Sequence, residues 1–413
     1  MSTKTRSDGS TQACRICGED VFTVIDLGEN PFANALVTNA AEVVKIYPLV
    51  LNVCSKCATA QLGYCANDFE LYSNYLYVTP KSTALSAHYE WTTQFLKTQG
   101  HLSKASRVLE VGSNVGRFLE HIRPHVRSII GVDPAINIAR TANKRGIPTV
   151  NAFFNKTSAK EILQRQGQKD LFIARHCFAH NEKPWLMLDG MQTLMHADSV
   201  LVIENAYFLD TVTNYEFDQI YHEHMYYHTS RSISEIASRR GLKLIDVIHT
   251  SIHGGTMLYI VKAKGVGDTV SPRVAQYRGR ENAMHRESFY RDFTTQIEQN
   301  KRELSTLIEM LKSQGKTIHA YGASAKSTTL LNYYGITSDT VPVVLDSTAT
   351  KHGKYIPLVN IKVISEEDGL RNPPDYYLLT IWNYKDEIIR KVRAMGNMKS
   401  KFILPHPRVE VCE

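Results

Sequence analysis

The sequence has no run of about 18 apolar residues, the length of a membrane-spanning helix, so it predicts no membrane span. Its first twelve residues, MSTKTRSDGSTQ, are polar and lack the apolar stretch of a secretion signal, which predicts a cytoplasmic protein. The net charge of +7 is spread along 413 residues without a Lys/Arg block. A concentrated basic face is therefore absent, and an anionic small molecule is favoured over nucleic acid as the partner.

Cysteine is scarce outside two short motifs. Four of the seven cysteines form CRIC (Cys14, Cys17) and CSKC (Cys54, Cys57). Without an export signal, paired CxxC units are typical of metal ligands rather than disulfides. Two tight turns that each present two thiolates complete a closed tetrahedral zinc site. We expect this zinc to be structural, because such a site leaves no coordination position open.

The length and the pattern of apolar segments predict three domains. Residues 1–72 form the zinc-binding unit, 73–270 an α/β domain, and 271–413 a long helix followed by a smaller α/β domain. From about Lys104, buried strands alternate with helical segments, which predicts a doubly wound, Rossmann-like parallel sheet. Apolar residues at helical spacing predict one long helix from about Pro272 to Gln314.

The stretch VLEVGSNVGRFL predicts a nucleoside cofactor at the end of the first α/β strand. It contains Glu110, Gly112, Asn114 and Gly116, and the next strand ends at Asp133, where an acid can bind ribose hydroxyls. The stretch does not match GxGxxG, so a nicotinamide dinucleotide is disfavoured. A carboxylate before the glycine instead suits the cationic ligand S-adenosylmethionine (SAM). The alternative is that the glycines only permit close packing.

The segment QIYHEHMYYHT, residues 219–229, gathers histidines, tyrosines and an acid. A catalytic metal is one interpretation, but His222 and His224 lack the spacing of the helical HExxH motif. A solvated polar loop is a second. We favour an acid–base site, since His is the side chain most naturally tuned to neutral pH and a Tyr hydroxyl can donate to a developing oxyanion.

A second glycine loop, in YGASAKSTTLLNYYG, opens the smaller α/β domain. Gly322 ends a strand and Lys326 begins a helix, an arrangement that suits an anion. The loop is not a Walker A motif, so phosphoryl transfer is not predicted. The candidate diphosphate ligands are Tyr321, Gly322, Lys326 and Asn383, the last from IWN. A packing glycine and a surface lysine are the alternative.

Taken in order, the two CxxC units, YLY, EVGSNVG, HCFAH, IYHEH, HGG, YGASAKS and IWN resemble SAM-dependent sugar C-methyltransferases of bacterial deoxysugar pathways. The resemblance runs from Cys14 to about His406. It implies a zinc-binding part, a SAM-binding methyltransferase part and a C-terminal Rossmann-like part. Known members methylate C3 of a nucleotide-linked 4-keto deoxysugar. One departure is Val115, where the family often has an acid.

The resemblance also implies roles for individual residues. His224 is the base, and Glu223 orients it or binds a sugar hydroxyl. Tyr221, His180 and Tyr77 are enolate or hydroxyl partners, with Tyr75 as the alternative to Tyr77. His222 and His228 are supports, and His253 of HGG contacts the substrate.

Two other functions stay open at this point. One is SAM-dependent methylation at oxygen or nitrogen of another small molecule, which needs no enolate. The other is a zinc-ribbon protein that binds nucleic acid. The leading expectation is a monomer that binds a sugar linked to a nucleoside diphosphate.

Overall fold

In the computed structural model, three β-sheets organise the chain. The structure describes residues 13–67, 71, 78–79, 82–265 and 269–413. Tyr77 and its alternative Tyr75 therefore lie outside the described residues. None of the helices in these ranges has the length and apolar character needed to cross a membrane.

The first sheet is antiparallel and belongs to the N-terminal unit, but its last strand comes from the middle of the chain. Strands are numbered along the sequence, and this sheet has the order β1-β2-β3-β9. Its strands are β1 (Val21–Asn30), β2 (Tyr47–Cys54), β3 (Ala60–Leu62) and β9 (Tyr226–Tyr227). The pairing of β9 with β3 was not predicted, and it places the Tyr- and His-rich segment directly beside the zinc-binding unit.

The second sheet confirms the predicted α/β domain and has the order β10-β11-β8-β7-β4-β5-β6. Its strands are β4 (Arg107–Val111), β5 (Ser128–Asp133), β6 (Thr149–Asn151), β7 (Leu171–Arg175), β8 (Val200–Ala206), β10 (Leu242–Thr250) and β11 (Thr256–Ala263). Strands β4 to β8 are parallel, as the alternation predicts. Strand β11 runs antiparallel to both β8 and β10, so the sheet is not wholly parallel. The short connection between β10 and β11 permits only antiparallel pairing.

The third sheet forms the C-terminal unit and has the order β14-β15-β13-β12-β16-β17-β18. Its strands are β12 (Ile318–Tyr321), β13 (Val343–Asp346), β14 (Tyr355–Ile356), β15 (Ile361–Ser365), β16 (Tyr376–Leu379), β17 (Lys401–Leu404) and β18 (Glu410–Cys412). The five central strands are parallel, and the edge strands β14 and β18 are antiparallel to their neighbours. A second Rossmann-like unit is therefore present.

The α-helices flank the two larger sheets. They span Thr83–Thr98, Arg117–Ile122, Ile136–Lys144, Lys156–Gln166, Pro184–Leu194, Phe208–Thr213, Ser230–Ser238, Pro272–Arg280, Arg291–Ser313, Ala325–Tyr334, Glu366–Arg371 and Lys385–Ala394.

The predicted single helix from Pro272 to Gln314 is wrong, because the chain breaks between Arg280 and Arg291. The break has a physical reason in the buried carboxylate of Glu281. It accepts hydrogen bonds from Tyr207 Oη and from the backbone N and hydroxyl of Ser230. These bonds draw the chain into the core and end the first helix there.

The long helix Arg291–Ser313 joins the outer units. Its apolar residues, among them Phe293, Ile297 and Leu304, share one buried cluster with Leu51 of β2 and Leu330 of the C-terminal unit. This packing sets residues of the N-terminal and C-terminal units against the same helix.

Candidate active site

A cavity of about 470 Å³ opens where the three units meet. Asn34 from the N-terminal unit contributes to its wall. The ends of β4, β5 and β7 and the segment around Tyr221 form most of the lining, and Lys326, Lys351 and Asn383 come from the C-terminal unit. The structure therefore brings together candidate residues that lie hundreds of positions apart in the sequence.

The cofactor corner lies at the carboxyl ends of β4 and β5 and lines the cavity with Glu110, Gly112, Asn114 and Asp133. Glu110 is buried, and its Oε2 has no hydrogen-bond partner among the described residues. Burial raises the pKa of Glu110 to about 8, although Arg175 opposes the shift. A buried carboxyl with an orphaned oxygen fits a cationic ligand, which would stabilise its charged form.

Asp133 is built as an acceptor. Its Oδ2 accepts from Asn114 N at 2.9 Å and its Oδ1 from Ala135 N at 3.0 Å. Burial nevertheless raises the pKa of Asp133 to about 6. Each carboxylate oxygen has a second lone pair, so both can also accept ribose hydroxyls.

The two glycines of this motif have different roles. Gly112 has φ +64°, and a Cβ there would lie 2.5 Å from Cys177 Cβ, so glycine is required for the close approach of β4 and β7 loops. Gly116 lies away from the cavity lining, and a Cβ there would meet Ile147. Val115 is buried with Ala135 and Ile138, which explains an apolar residue at the position where the family often has an acid.

The acid–base corner is centred on His224, which lines the cavity. Its Nδ1 lies 3.0 Å from the carbonyl oxygen of Gln219, and its Nε2 lies 2.7 Å from Tyr221 Oη. A carbonyl can only accept, so Nδ1 is assigned the proton and Nε2 accepts the hydroxyl of Tyr221. Burial, with a contribution from His180, holds the pKa of His224 well below its usual range. The imidazole is therefore neutral and able to accept a proton.

His180 lies beside this pair, with its ring centre 5.1 Å from that of His224. Burial lowers the pKa of His180 to about 4, so it too is neutral. The carbonyl of Gln219 accepts from Nδ1 of His224 and so orients its ring. The carboxylate of Glu223 accepts from Asn34 Nδ2 at 2.5 Å and lines the cavity, and its expected role, as orienter of His224 or as ligand of a sugar hydroxyl, stays a prediction.

His222 and His228 are both buried, and His228 also lines the cavity, so their expected role as supports stays a prediction. His222 is buried against the rings of Phe32, Tyr47 and Tyr64. Since it points into this aromatic cluster while His224 points into the cavity, the two do not form a metal site. His228 is fully buried and stacks on Tyr226. Burial lowers the pKa of His222 to about 4 and that of His228 to about 3.

Lys326 and Asn383, two of the residues predicted to bind a diphosphate, line the C-terminal corner of the cavity. Lys326 lines the cavity, its Nζ has no hydrogen-bond partner among the described residues, and the ring of Trp382 lies 5.1 Å away. Asn383 and His253 also line the cavity. His253 has φ +57° and its Nδ1 lies 3.5 Å from Tyr384 Oη.

Tyr321 and Gly322 are not brought to the cavity lining. Side chains alternate along a strand, and Tyr321 faces away, where its hydroxyl donates to Glu366 at 2.7 Å. Gly322 has φ +101°, and a Cβ there would lie 2.5 Å from Ile381, so this glycine permits close packing of the loop.

The four cysteines form the predicted metal centre. Their sulfur atoms all lie within 4.8 Å of one another, and Cys14–Cys57, Cys17–Cys54 and Cys17–Cys57 are 3.7, 3.4 and 3.6 Å apart. Zinc–sulfur bonds of about 2.3 Å in a tetrahedron separate thiolates by about 3.8 Å, so the donor set fits zinc. The centre is closed and stands apart from the cavity lining.

Some site residues were missed by the sequence reasoning. Arg175 donates to Glu204 at 3.0 Å, and its guanidinium lies 4.4 Å from the centre of the Tyr89 ring. Arg175 and Glu204 stand in strands that are mostly apolar. Buried charges are rare unless they are paired, so this pattern in the sequence indicates a site. Asn34, Lys351 and Tyr384 lie outside the α-helices and strands, and no periodic pattern points to them.

This fold, with an antiparallel strand inserted beside five parallel ones and a cation-fitting acid at the end of its first strand, defines a class I SAM methyltransferase. Three family models match successive parts of the chain: a putative zinc binding domain over residues 14–72, a methyltransferase domain over 86–247 and a C-methyltransferase C-terminal domain over 251–407. The C-methyltransferase NovU of Streptomyces niveus is 31% identical over 403 residues, which cover 96% of each protein. The chain belongs to this family of C-methyltransferases.

The solved structures of two other methyltransferases each cover a little under half of this chain. Magnesium protoporphyrin IX methyltransferase from Synechocystis PCC 6803 is 14% identical, with a TM-score of 0.33, over 46% of this chain and 88% of that one. The N-methyltransferase NodS from Bradyrhizobium japonicum WM9 is 14% identical, with a TM-score of 0.33, over 44% of this chain and 98% of that one.

Proposed function

We propose that this C-methyltransferase acts on C3 of a 4-keto deoxysugar linked to a nucleoside diphosphate, through an enolate formed by His224. The observation that carries the proposal is the pair of His224 and Tyr221, whose Nε2 and Oη lie 2.7 Å apart in the cavity. A base and a hydroxyl donor side by side are the two groups that enolisation of a ketone requires.

The pair suggests how the proton moves. When the hydroxyl of Tyr221 turns to donate to the keto oxygen, Nε2 of His224 loses its hydrogen-bond donor and can accept the C3 proton. The C–H electrons then form the enolate, whose negative oxygen the Tyr221 hydroxyl stabilises. SAM, which Glu110 and Asp133 would hold at the ends of β4 and β5, would supply the electrophilic methyl group for the enolate carbon.

Two further features support a nucleotide-linked substrate. Lys326 stands at the start of the helix Ala325–Tyr334, and its ammonium group faces the cavity without a hydrogen-bond partner among the described residues. A buried cation at a helix N-terminus suits phosphate oxygens. Glu223 lines the same cavity and is hydrogen-bonded to Asn34, and in this proposal its carboxylate accepts a sugar hydroxyl.

The proposal is tested by hydrogen exchange without methyl transfer. The protein is incubated in heavy water with S-adenosylhomocysteine (SAH) and a panel of nucleotide-linked 4-keto sugars, and C3 deuteration is followed by mass spectrometry. We expect exchange with at least one sugar, and loss of exchange and methylation by about 10²–10⁴ in His224→Ala. Tyr221→Phe should slow both and keep the ring.

Methylation at oxygen or nitrogen would give a different result. No C3 exchange would occur, and His224→Ala would methylate at a rate close to that of the parent protein. That outcome would contradict the enolate mechanism while leaving the SAM-dependent activity in place.

A further inference from the structure

The N-terminal unit contacts the catalytic segment through its backbone. Ala60 and Gln61 of β3 pair with Tyr227 and Tyr226 of β9, and Leu62 N donates to the carbonyl of Met225 at 3.0 Å. The segment that carries Glu223 and His224 therefore leads directly into β9, the last strand in the sheet of the zinc-binding unit.

The strand β3 is itself fixed to the first CxxC turn. The side-chain oxygen of Gln61 accepts from Arg15 N at 2.9 Å, and its amide nitrogen donates to the carbonyl of Ala13 at 3.1 Å. Arg15 lies between Cys14 and Cys17. The cysteine turn, β3 and β9 therefore form one hydrogen-bonded series.

The aromatic cluster around His222 makes a second attachment. Its ring centre lies 5.5 Å from that of Phe32 and 5.9 Å from that of Tyr47, both in edge-on geometry. Only 1% of His222 is exposed. Because His222 directly precedes Glu223, this cluster fixes the backbone from which the Glu223 carboxylate projects.

Asn34 makes the third attachment, and it is the one inside the cavity. Its Nδ2 donates to Glu223 Oε1 at 2.5 Å. The preceding residue, Ala33, accepts from Thr328 Oγ1 at 2.8 Å, which anchors the Asn34 loop to the C-terminal unit. The amide is therefore held on a fixed backbone, and one oxygen of Glu223 is constrained by it.

We infer that Asn34 is a positioning residue that the N-terminal unit supplies to the methyl-transfer site, acting by fixing the carboxylate of Glu223 for its sugar hydroxyl. The inference rests on the proposed role of Glu223. It gives the N-terminal unit a part in substrate alignment, in addition to its structural metal centre.

A double-mutant cycle tests it, with methylation kinetics measured on whichever substrate the mass-spectrometric panel identifies. Asn34→Ala should lower kcat/KM by about 10-fold, the effect of one lost charge-assisted hydrogen bond. Glu223→Ala, which removes the acceptor of the Asn34 hydrogen bond, should have a larger effect. The double variant should be no worse than Glu223→Ala alone, since Asn34 acts through Glu223. SAH affinity should stay unchanged in all three.

Asn34→Asp adds a second measurement, the pH dependence of activity, which would not change if Asn34 were merely structural. An aspartic acid can donate to Glu223 only when it is protonated, and two adjacent carboxylates resist being charged together. The activity of this variant should therefore rise as the pH is lowered, while Asn34→Ala shows the pH profile of the parent protein. Asn39→Ala is the matched control, because Asn39 lies in the same unit and its side chain caps an exposed turn at Ala41.

Two results would overturn the inference. Additive losses in the double variant would mean that Asn34 acts independently of Glu223, and identical pH profiles for Asn34→Asp and Asn34→Ala would mean that no proton is shared. Failure of the enolate mechanism is recognised separately, by methylation that proceeds without C3 exchange in the parent protein.

Discussion

The methyltransferase unit and the C-terminal unit repeat one construction. In both, the first strand is central, and the parallel strands have the same spatial order, β6-β5-β4-β7-β8 in one and β15-β13-β12-β16-β17 in the other. Gly112 N donates to Val132 O at 2.8 Å, and Gly322 N donates to Leu345 O at 2.7 Å. Each glycine has positive φ and lies close to the loop that follows the fourth strand in this spatial order, β7 in one unit and β16 in the other.

The acid that ends the second strand is repeated as well. Asp133 accepts from Asn114 N at 2.9 Å and from Ala135 N at 3.0 Å. Asp346 accepts from Ala323 N at 2.9 Å and from Thr348 N at 2.8 Å. The backbone of the glycine loop is thus tied to the same carboxylate in both units.

The side chains around this common frame differ in charge. Two residues before the glycine, the first unit has Glu110 and the second has Ala320. In the second unit, Lys351 Nζ lies 3.5 Å from Asp346 Oδ2 and donates to Ala323 O at 2.7 Å. A lysine therefore stands beside the acid that corresponds to Asp133 of the first unit. One added acid favours a cation in the first unit, and two lysines favour an anion in the second. If the proposed function holds, the frame fixes where a ligand binds, and a few charged side chains select the sign of that ligand's charge.

The largest effect on stability is expected from loss of the zinc site, which lies in the N-terminal unit and in neither of the two α/β units compared above. Cys54→Ser should remove the zinc, of which the parent protein should carry about one per chain, and a structural zinc site contributes about 10 kcal/mol to folding. Zinc content and thermal melting measure this, with Cys412→Ser as the control because it lies outside the cluster. SAH should still bind if the α/β units depend on their own cores. Full zinc content in Cys54→Ser would contradict the assignment.

The paired acids give the next largest effect. Asp133→Ala should weaken SAM binding by about 1.5–3 kcal/mol, because charged hydrogen bonds to the ribose are lost. Asp346→Ala is the matched change in the second unit and should leave SAM affinity unaltered. Calorimetry with SAH measures both. Equal losses would show that the acids act on the fold rather than on the cofactor.

A smaller effect is expected for the anion corner. Lys326→Ala should weaken binding of a free nucleoside diphosphate by about 1.5 kcal/mol, since it removes one charged donor, and SAH affinity should not change. Lys312, an exposed residue at the end of the long helix, provides the control variant Lys312→Ala. Parallel loss of both ligands in Lys326→Ala would make that lysine structural.

The smallest expected effect is a pH dependence of ligand affinity. As the pH rises, affinity for SAM should increase in the first unit and affinity for the anion should decrease in the second. Burial raises the pKa of Glu110 to about 8, so a bound cation must first displace its proton, and SAM affinity should rise about 5-fold from pH 7 to pH 8. Burial raises the pKa of Glu216 to about 7, with Lys326 opposing the shift, so ionisation above pH 7 should weaken anion binding. Glu110→Gln should abolish the pH dependence of SAM binding, and Glu216→Gln should abolish that of anion binding. The same slope for both ligands would contradict this account.

Local sequence patterns predicted the strands of both α/β units and the four thiolates, because buried apolar runs and CxxC turns are local signals. Glu110 and Asp133, predicted to bind SAM, both line the cavity, and that role stays a prediction. Tyr321, predicted to bind the substrate, faces away from the cavity, because the sequence does not show which side of the sheet meets the ligand. Asn34 was missed because its partner, Glu223, is distant in sequence and neither residue belongs to a periodic segment. Long-range partners of this kind are fixed only by the packing of whole units.

The strand β9 also has a consequence for synthesis on the ribosome. The sheet of the N-terminal unit cannot be completed until Tyr226 and Tyr227 have emerged, by which time most of the methyltransferase unit has already been translated. Such non-local pairing slows folding, and the open edge of β3 is exposed to wrong partners in the meantime. We therefore expect a fragment that ends before residue 226 to leave the β3 edge of this sheet unpaired.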